Sequence, residues 1–324
     1  MAKKQFDDKL AAIEQLRRSD DLAGAEKELR KALGDRNNYV VSKAAQSAGQ
    51  LSLRSLAPEL IAAFDRFLKE PVKTDPQCWA KNALVLALVE LGHTDPAIFL
   101  RGLRHIQMEP VWGGQQDTAG TLRGRCAHAL IDCRSLDDHE ILSLLVELLV
   151  DAEKTVRAEA ARAIGRLERK ESGLLLRLRA LVGDEESEVI GACLTAVLAA
   201  EGPEAIEFVA RFLDSPGDVA GEAALALGSL HDERALSPLK ERLERRCDPD
   251  LTEVIFTAMA LMRLDPAYDY VLGLIRADAQ RAALALQALG RATVNEEMRG
   301  KIAQAVEQSG SERLSELYGK EFPD

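Results

Sequence analysis

Residues 151–165, DAEKTVRAEAARAIG, open on an aspartate, place a valine five positions later and continue as an alanine-rich amphipathic helix. Sliding this phrase along the chain finds seven relatives, among them DRNNYVVSKAAQSAG at 35–49 and DTAGTLRGRCAHALI at 117–131. Aligned on Val156, the anchors are Val40, Trp79, Leu122, Val156, Val189, Val219, Leu251 and Arg281, spaced by 39, 43, 34, 33, 30, 32 and 30 residues. Self-similarity at such a period is the mark of a stacked-repeat architecture.

Other positions follow the same register. Four residues after the anchor stand Ala44, Ala83, Cys126, Ala160, Cys193, Ala223, Ile255 and Ala285, and seven after it Ser47, Leu86, Ala129, Ala163, Ala196, Ala226, Ala258 and Ala288. Small side chains at helical spacing let neighbouring helices approach closely. Five residues before the anchor, Asp35, Asp117, Asp151, Asp184 and Asp214 mark the turn and are expected to cap the second helix. A first amphipathic helix precedes each phrase, most plainly DHEILSLLVELLVD (138–151), GLLLRLRALVGD (173–184) and EAIEFVARFLD (204–214). No such pair buries both faces alone, so the pairs must stack. The expected fold is all-α, an α-solenoid of about eight helix pairs with polar end caps. It is expected as one array over 1–324: a cap helix in 1–20, repeats across 21–293 and a second cap in 294–324.

The composition agrees. Hydrophobic residues make up 47% but aromatics only 4%, which suits alanine-packed helices better than a β-sandwich. The net charge of −11 is unevenly placed: residues 1–170 carry 26 basic and 25 acidic side chains, net +1, and residues 171–324 carry 16 and 28, net −12. A chain so charged is not devoted to nucleic acid or anionic membrane. Five scattered cysteines (Cys78, Cys126, Cys133, Cys193, Cys247) read as free thiols of a reducing compartment. The charged start MAKKQFDDKL reads as no leader, and VIGACLTAVLAA (189–200) is too short to span a bilayer. A cytoplasmic monomer is expected.

The pattern resembles the HEAT-repeat superfamily, including the bacterial HEAT-like repeats also seen in phycobilin lyases. The resemblance covers roughly residues 20–293 and rests on Asp-x4-Val followed by an alanine-rich helix, with Asp151, Val156 and Arg157 the fullest match. It implies a scaffold or adaptor for other proteins and, as an alternative from the enzyme class, a lyase or chaperone that loads a tetrapyrrole onto a protein.

Two turns break the register. MEPVWGGQQ (108–116) adds nine residues to a turn that elsewhere needs almost none, and KEPVKTDPQ (69–77) enlarges the turn of the repeat before it. Both carry Glu-Pro-Val, both join the first to the second helix of a pair, and both therefore leave the solenoid on one edge. Insertions in repeat proteins commonly map to the binding face. Trp112, beside Gly113 and Gly114, either folds back as a plug over a groove or stands out as an aromatic anchor.

Three residues past the anchor, Lys43, Asn82, Arg125 and Glu159 give a polar inner face to the first repeats, while Ala192, Val254 and Leu284 give an apolar one later, with Glu222 the exception. The candidate partner-binding set is Pro71, Val72, Lys73, Trp79, Pro110, Val111, Trp112, Gly113, Gly114, Gln115, Gln116, Arg125 and His128. Chemistry is sparse by comparison. There is no phosphate loop, no His-Glu-x-x-His, no Gly-x-Ser-x-Gly and no Cys-x-x-Cys, so no catalytic residue, metal or cofactor is expected. His93, His105, His128 and His139 gather near Cys126 and Cys133, but both thiols fall on the core stripe. HEAT-like DNA glycosylases use two tryptophans and an aspartate in a basic groove, which directs attention to Trp79, Trp112 and Asp117. Asp117 is a turn residue of the repeat, however, and the basic groove is lacking. The arginines Arg101, Arg104, Arg123, Arg125 and Arg134 are expected to pair with neighbouring acids or with acidic groups on a protein.

Overall fold

The computed structural model describes residues 2–18, 21–167, 169–245, 247–277, 279–292 and 294–323. They fall into two compact units, 1–163 and 164–324. The first holds α1 (Ala2–Leu16), α2 (Leu22–Leu33), α3 (Asn38–Gln50), α4 (Ala57–Phe67), the single turn α5 (Pro71–Thr74), α6 (Trp79–Glu90) and α7 (Pro96–Leu103). A β-hairpin follows, β1 (Met108–Val111) and β2 (Gly114–Asp117), then α8 (Gly120–Ile131), α9 (Asp138–Leu148) and α10 (Lys154–Gly165), whose last residues belong to the second unit. The second unit continues with α11 (Lys170–Val182), α12 (Ser187–Glu201), α13 (Ile206–Ala210), α14 (Val219–Ser229), α15 (Leu236–Glu244) and α16 (Pro249–Leu261). It ends with α17 (Asp265–Arg276), α18 (Ala282–Arg291), α19 (Glu296–Ser309) and α20 (Glu312–Glu321). The fold is all-α, and strand among the described residues is confined to the hairpin.

Within each unit the second helix of one pair packs on the second helix of the next. α3 packs on α6 and α6 on α8 in the first unit; α12, α14, α16, α18 and α20 form the same row in the second. The small residues of the register make this approach feasible. Cys126, Cys193, Ala160 and Ala223 are fully buried, and at Gly228 even a methyl group would collide with the backbone carbonyl of Ala258.

Repeat 2 departs from the sequence register by one residue. Trp79, its expected anchor, is 48% exposed, and Leu86, its expected core residue, is exposed as well. Ala80, Leu84 and Ala87 are the buried set instead. The shifted register places Asp75 five residues before the anchor and Lys81 one after it, matching Asp117 and Arg123. Both Asp75 and Lys81 are completely buried and pair at 3.0 Å.

The turn aspartates do not cap the second helices as expected. Asp35, Asp117, Asp151 and Asp184 each accept a hydrogen bond from the backbone N–H two residues on, donated by Asn37, Ala119, Glu153 and Glu186 respectively. Each side chain closes an Asx turn just before the helix begins. Asp214 differs, pairing with Arg245 at 2.6 Å and Arg242 at 3.4 Å.

Ser187–Asp214 is, by length and composition, apolar enough to cross a membrane, a longer stretch than the sequence run suggests. Gly202, at φ 67°, breaks it into two helices, and 61% of its apolar window is buried within the fold, as in a core helix.

Candidate partner-docking site

The nine extra residues of repeat 3 form an antiparallel hairpin, with Met108 opposite Asp117, Glu109 opposite Gln116, Pro110 opposite Gln115 and Val111 opposite Gly114. Trp112 and Gly113 make the two-residue turn. Gly113 takes φ 91°, open to glycine and strained for other residues. The hairpin closes on its own backbone bonds and projects Trp112 clear of the fold. Trp112 is 103% exposed, which removes the plug reading.

A buried polar cluster fixes the hairpin's base. Gln107 is its hub: Nε2 donates to Asp75 O at 2.9 Å and to Glu109 Oε1 at 2.6 Å. Its Oε1 accepts from Cys78 Sγ at 3.3 Å and lies 3.1 Å from His105 Nε2. Glu109, on β1 but only 8% exposed, also accepts from Thr118 Oγ1 at 2.6 Å and from Gln77 N at 2.5 Å. Burial alone would raise the carboxyl of Glu109; the bonds from Thr118, Gln107 and Gln77 outweigh it and hold the group below its ordinary value, so it stays charged. Desolvation lowers His105 and keeps its ring neutral. Beneath the hairpin, Asp117 accepts from the backbone N–H of Gln107 at 2.9 Å and from Arg123 at 2.6 Å. Arg123 also grips Asp151 through two bonds of 2.9 and 3.0 Å and donates to His105 O.

These bonds join the two enlarged turns, since Gln107 and Glu109 reach Asp75 and Gln77 of the turn before. The two Glu-Pro-Val segments are not equivalent, however. Glu109-Pro110-Val111 is strand, whereas Glu70 is exposed, sits at φ 49° and leads into the helical turn α5. Gln77 and Cys78, at φ 57° and 55°, are two successive non-glycine residues in left-handed backbone. That strain costs on the order of 1 kcal/mol per residue and requires a surround that holds it. Asp75, bonded to the N–H groups of Ala80 and Lys81, and Glu109 on Gln77 supply the surround.

A HEAT-repeat family model matches residues 141–220. Residues 141–220 thus carry HEAT repeats. Among solved structures, an engineered protein from the Northeast Structural Genomics Consortium aligns over 97% of this chain and 91% of its own, at 17% identity and a TM-score of 0.37. That likeness is too loose to bear on the site. No curated protein matches. HEAT repeats generally mediate contacts between proteins, so surface features outside the stacking core are where a HEAT chain carries its individual function.

On this helical scaffold the candidate residues fall in three places. Trp112, Val111 and Pro110, with Gly113, Gly114, Gln115 and Gln116, form the exposed hairpin. Val72 and Lys73 are exposed and Pro71 half-buried on α5, while Trp79 packs against Tyr39 in a tilted ring contact with centres 5.6 Å apart and donates to Gln77 Oε1. Ile106 and Met108 add exposed apolar surface that the sequence reading missed. Arg125 and His128 lie apart, half-buried on α8. Arg125 donates to Asn82 O at 3.0 Å, and His128 sits 2.8 Å from Glu159. Of the clustered arginines, Arg101 meets Asp65 at 3.0 Å and Arg123 its two aspartates, whereas no carboxylate pairs with Arg125 among the described residues.

A cleft of about 400 Å³ runs between the hairpin and the starts of α8 and α10, lined by Gln77, Glu109, Pro110, Val111, Gln116, Asp117, Thr118 and Glu153 among others. Among the described residues, no three His, Cys, Asp or Glu side chains converge as metal ligands would. Burial pushes the thiols of Cys78 and Cys133 up to about 11 and that of Cys193 to about 12, so they remain protonated.

Proposed function

We propose that this chain is a scaffold or adaptor that docks a partner protein on the edge formed by the hairpin and the turn before it. One observation carries the reading: a fully exposed tryptophan stands at the tip of a hairpin whose base is locked by buried hydrogen bonds. An isolated two-stranded hairpin is marginal in water, and an indole left in water gains nothing for folding. The polar cluster beneath it supplies the rigidity, and a partner surface supplies the burial that the fold withholds. Exposed Val72, Ile106, Met108 and Val111 surround the same edge. Pre-organisation of this kind lowers the ordering cost of association, and tryptophan is among the residues that dominate interface energies.

Photo-crosslinking tests the reading. A photoreactive residue replacing Trp112 should give one discrete protein adduct in the native cell. The same residue replacing Leu174, an apolar residue also exposed in the second unit, should not. The same adduct from both positions, or none from position 112, would overturn the proposal.

A further inference from the structure

The two edges of the hairpin are unlike. A two-residue turn makes Val111 and Gly114 a hydrogen-bonded pair, so Glu109 with Gln116 and Gln107 with Thr118 are hydrogen-bonded in turn. The bond of 2.9 Å from Thr118 N to Gln107 O agrees. The intervening pairs, Pro110 with Gln115 and Met108 with Asp117, direct their backbone groups outward. On β1, Pro110 has no N–H to offer and its ring obstructs a neighbouring strand. On β2, the N–H and C=O groups of Gln115 and Asp117 present two donors and two acceptors that no described residue meets. Free strand edges of this kind are templates for pairing with another chain.

Charge indicates the composition of that chain. All three hydrogen bonds to Glu109 go to Oε1, leaving Oε2 without a partner among the described residues. The charged residues lining the adjoining cleft are Glu109, Asp117 and Glu153, with no basic side chain among them. Arg123 offsets Asp117 but is shared with Asp151, so the cleft keeps an excess of negative charge. Beside it Val111 and Trp112 offer exposed apolar surface.

We propose that β2 takes an extended, basic segment of the partner protein as a third strand. Its backbone pairs with Gln115 and Asp117, an apolar side chain packs on Val111 and Trp112, and a lysine or arginine enters the cleft against Glu109 and Glu153. This rests on the docking reading above and specifies the partner's chemistry.

The probe is a fluorescein-labelled seven-residue peptide alternating valine and lysine, titrated against the full chain and followed by anisotropy. Two control peptides carry glutamate in place of lysine, or N-methylated alternate amides with the lysines kept. The lysine peptide is expected to bind, and both controls at least about tenfold more weakly. Gln115→Pro, which removes an outward N–H, and Trp112→Ala should each weaken the lysine peptide by a similar factor. Circular dichroism should show the helices of both variants unchanged. Failure of the lysine peptide to bind at millimolar concentration, equal binding of lysine and glutamate peptides, or indifference to N-methylation or to Gln115→Pro would each overturn strand addition. So would a dimer in sedimentation that Gln115→Pro abolishes, since that assigns the edge to a second copy of this chain. A position-112 adduct that survives these failures leaves the docking reading standing, whereas peptide binding without any adduct removes the docking reading and, with it, the assignment of the added strand to a partner protein.

Discussion

The turns at Asp117 and Asp151 use the same device with different lengths of chain. In each, the aspartate closes an Asx turn and holds Arg123, which lies between them with its side chain 3% exposed. The turn at Asp151 adds to this the carbonyls of Asp151 and Ala152, which accept from Arg157. The turn at Asp117 adds a hairpin with its own polar cluster, yet its aspartate keeps its bond to Arg123 and Leu122 behind it stays buried. Arg123 therefore keeps its place without help from the hairpin's tip, and residues 110–116, all exposed, are free to serve as a surface while Glu109 braces the turn before. Where the plain turn ends in backbone and carboxylate, the enlarged one ends in an exposed tryptophan.

The largest expected effect comes from the residue both turns share. Arg123→Met leaves two carboxylates without their cation and should cost about 3–5 kcal/mol in urea denaturation. Hydrogen exchange should accelerate at both turns; acceleration at only one would break the equivalence. Acid should separate them next. Burial works to raise Asp117 and Glu109, but hydrogen bonds more than offset it and hold both below their ordinary values of 3.8 and 4.5. The folded state is therefore stabilised above those values and loses that contribution as pH falls through the depressed ones. The protection factors of the Gln77 and Gln107 amides, taken against the intrinsic exchange rate at each pH, should hold at pH 5 and fall only as pH drops below the ordinary carboxyl range. Protection that falls away already near pH 6 would contradict the sign. A smaller, local effect is expected from Glu109→Gln, about 1–2 kcal/mol, with faster exchange confined to residues 75–80 and 105–118. The Asp151 turn should not respond, and if it does the two turns are not separable.

The repeat was legible because most copies place small residues, and five of the eight an aspartate, at fixed steps from the anchor. The site was legible only as an irregularity. In repeat 2, Trp79 satisfied the apolar anchor position better than the small Ala80, and this hid the Asp75–Lys81 pair. Nothing local marks Gln107 and Glu109 as buried, because their partners at Asp75 and Gln77 lie 32 residues away in the chain. The hairpin was obscured by Pro110, which argues against a central strand but suits an edge. Trp112 could not be assigned from sequence because plug and anchor demand the same residue; only its exposure separates them.

The exposed tip is what sets the enlarged turn apart, and Trp112 is its largest side chain. Trp112→Ala should change folding stability by no more than about 0.5 kcal/mol, as at other exposed sites. The same change should weaken the partner by about 2 kcal/mol or more, roughly thirtyfold. A stability loss near 3 kcal/mol, typical of a buried tryptophan, with intrinsic affinity unchanged, would contradict the account.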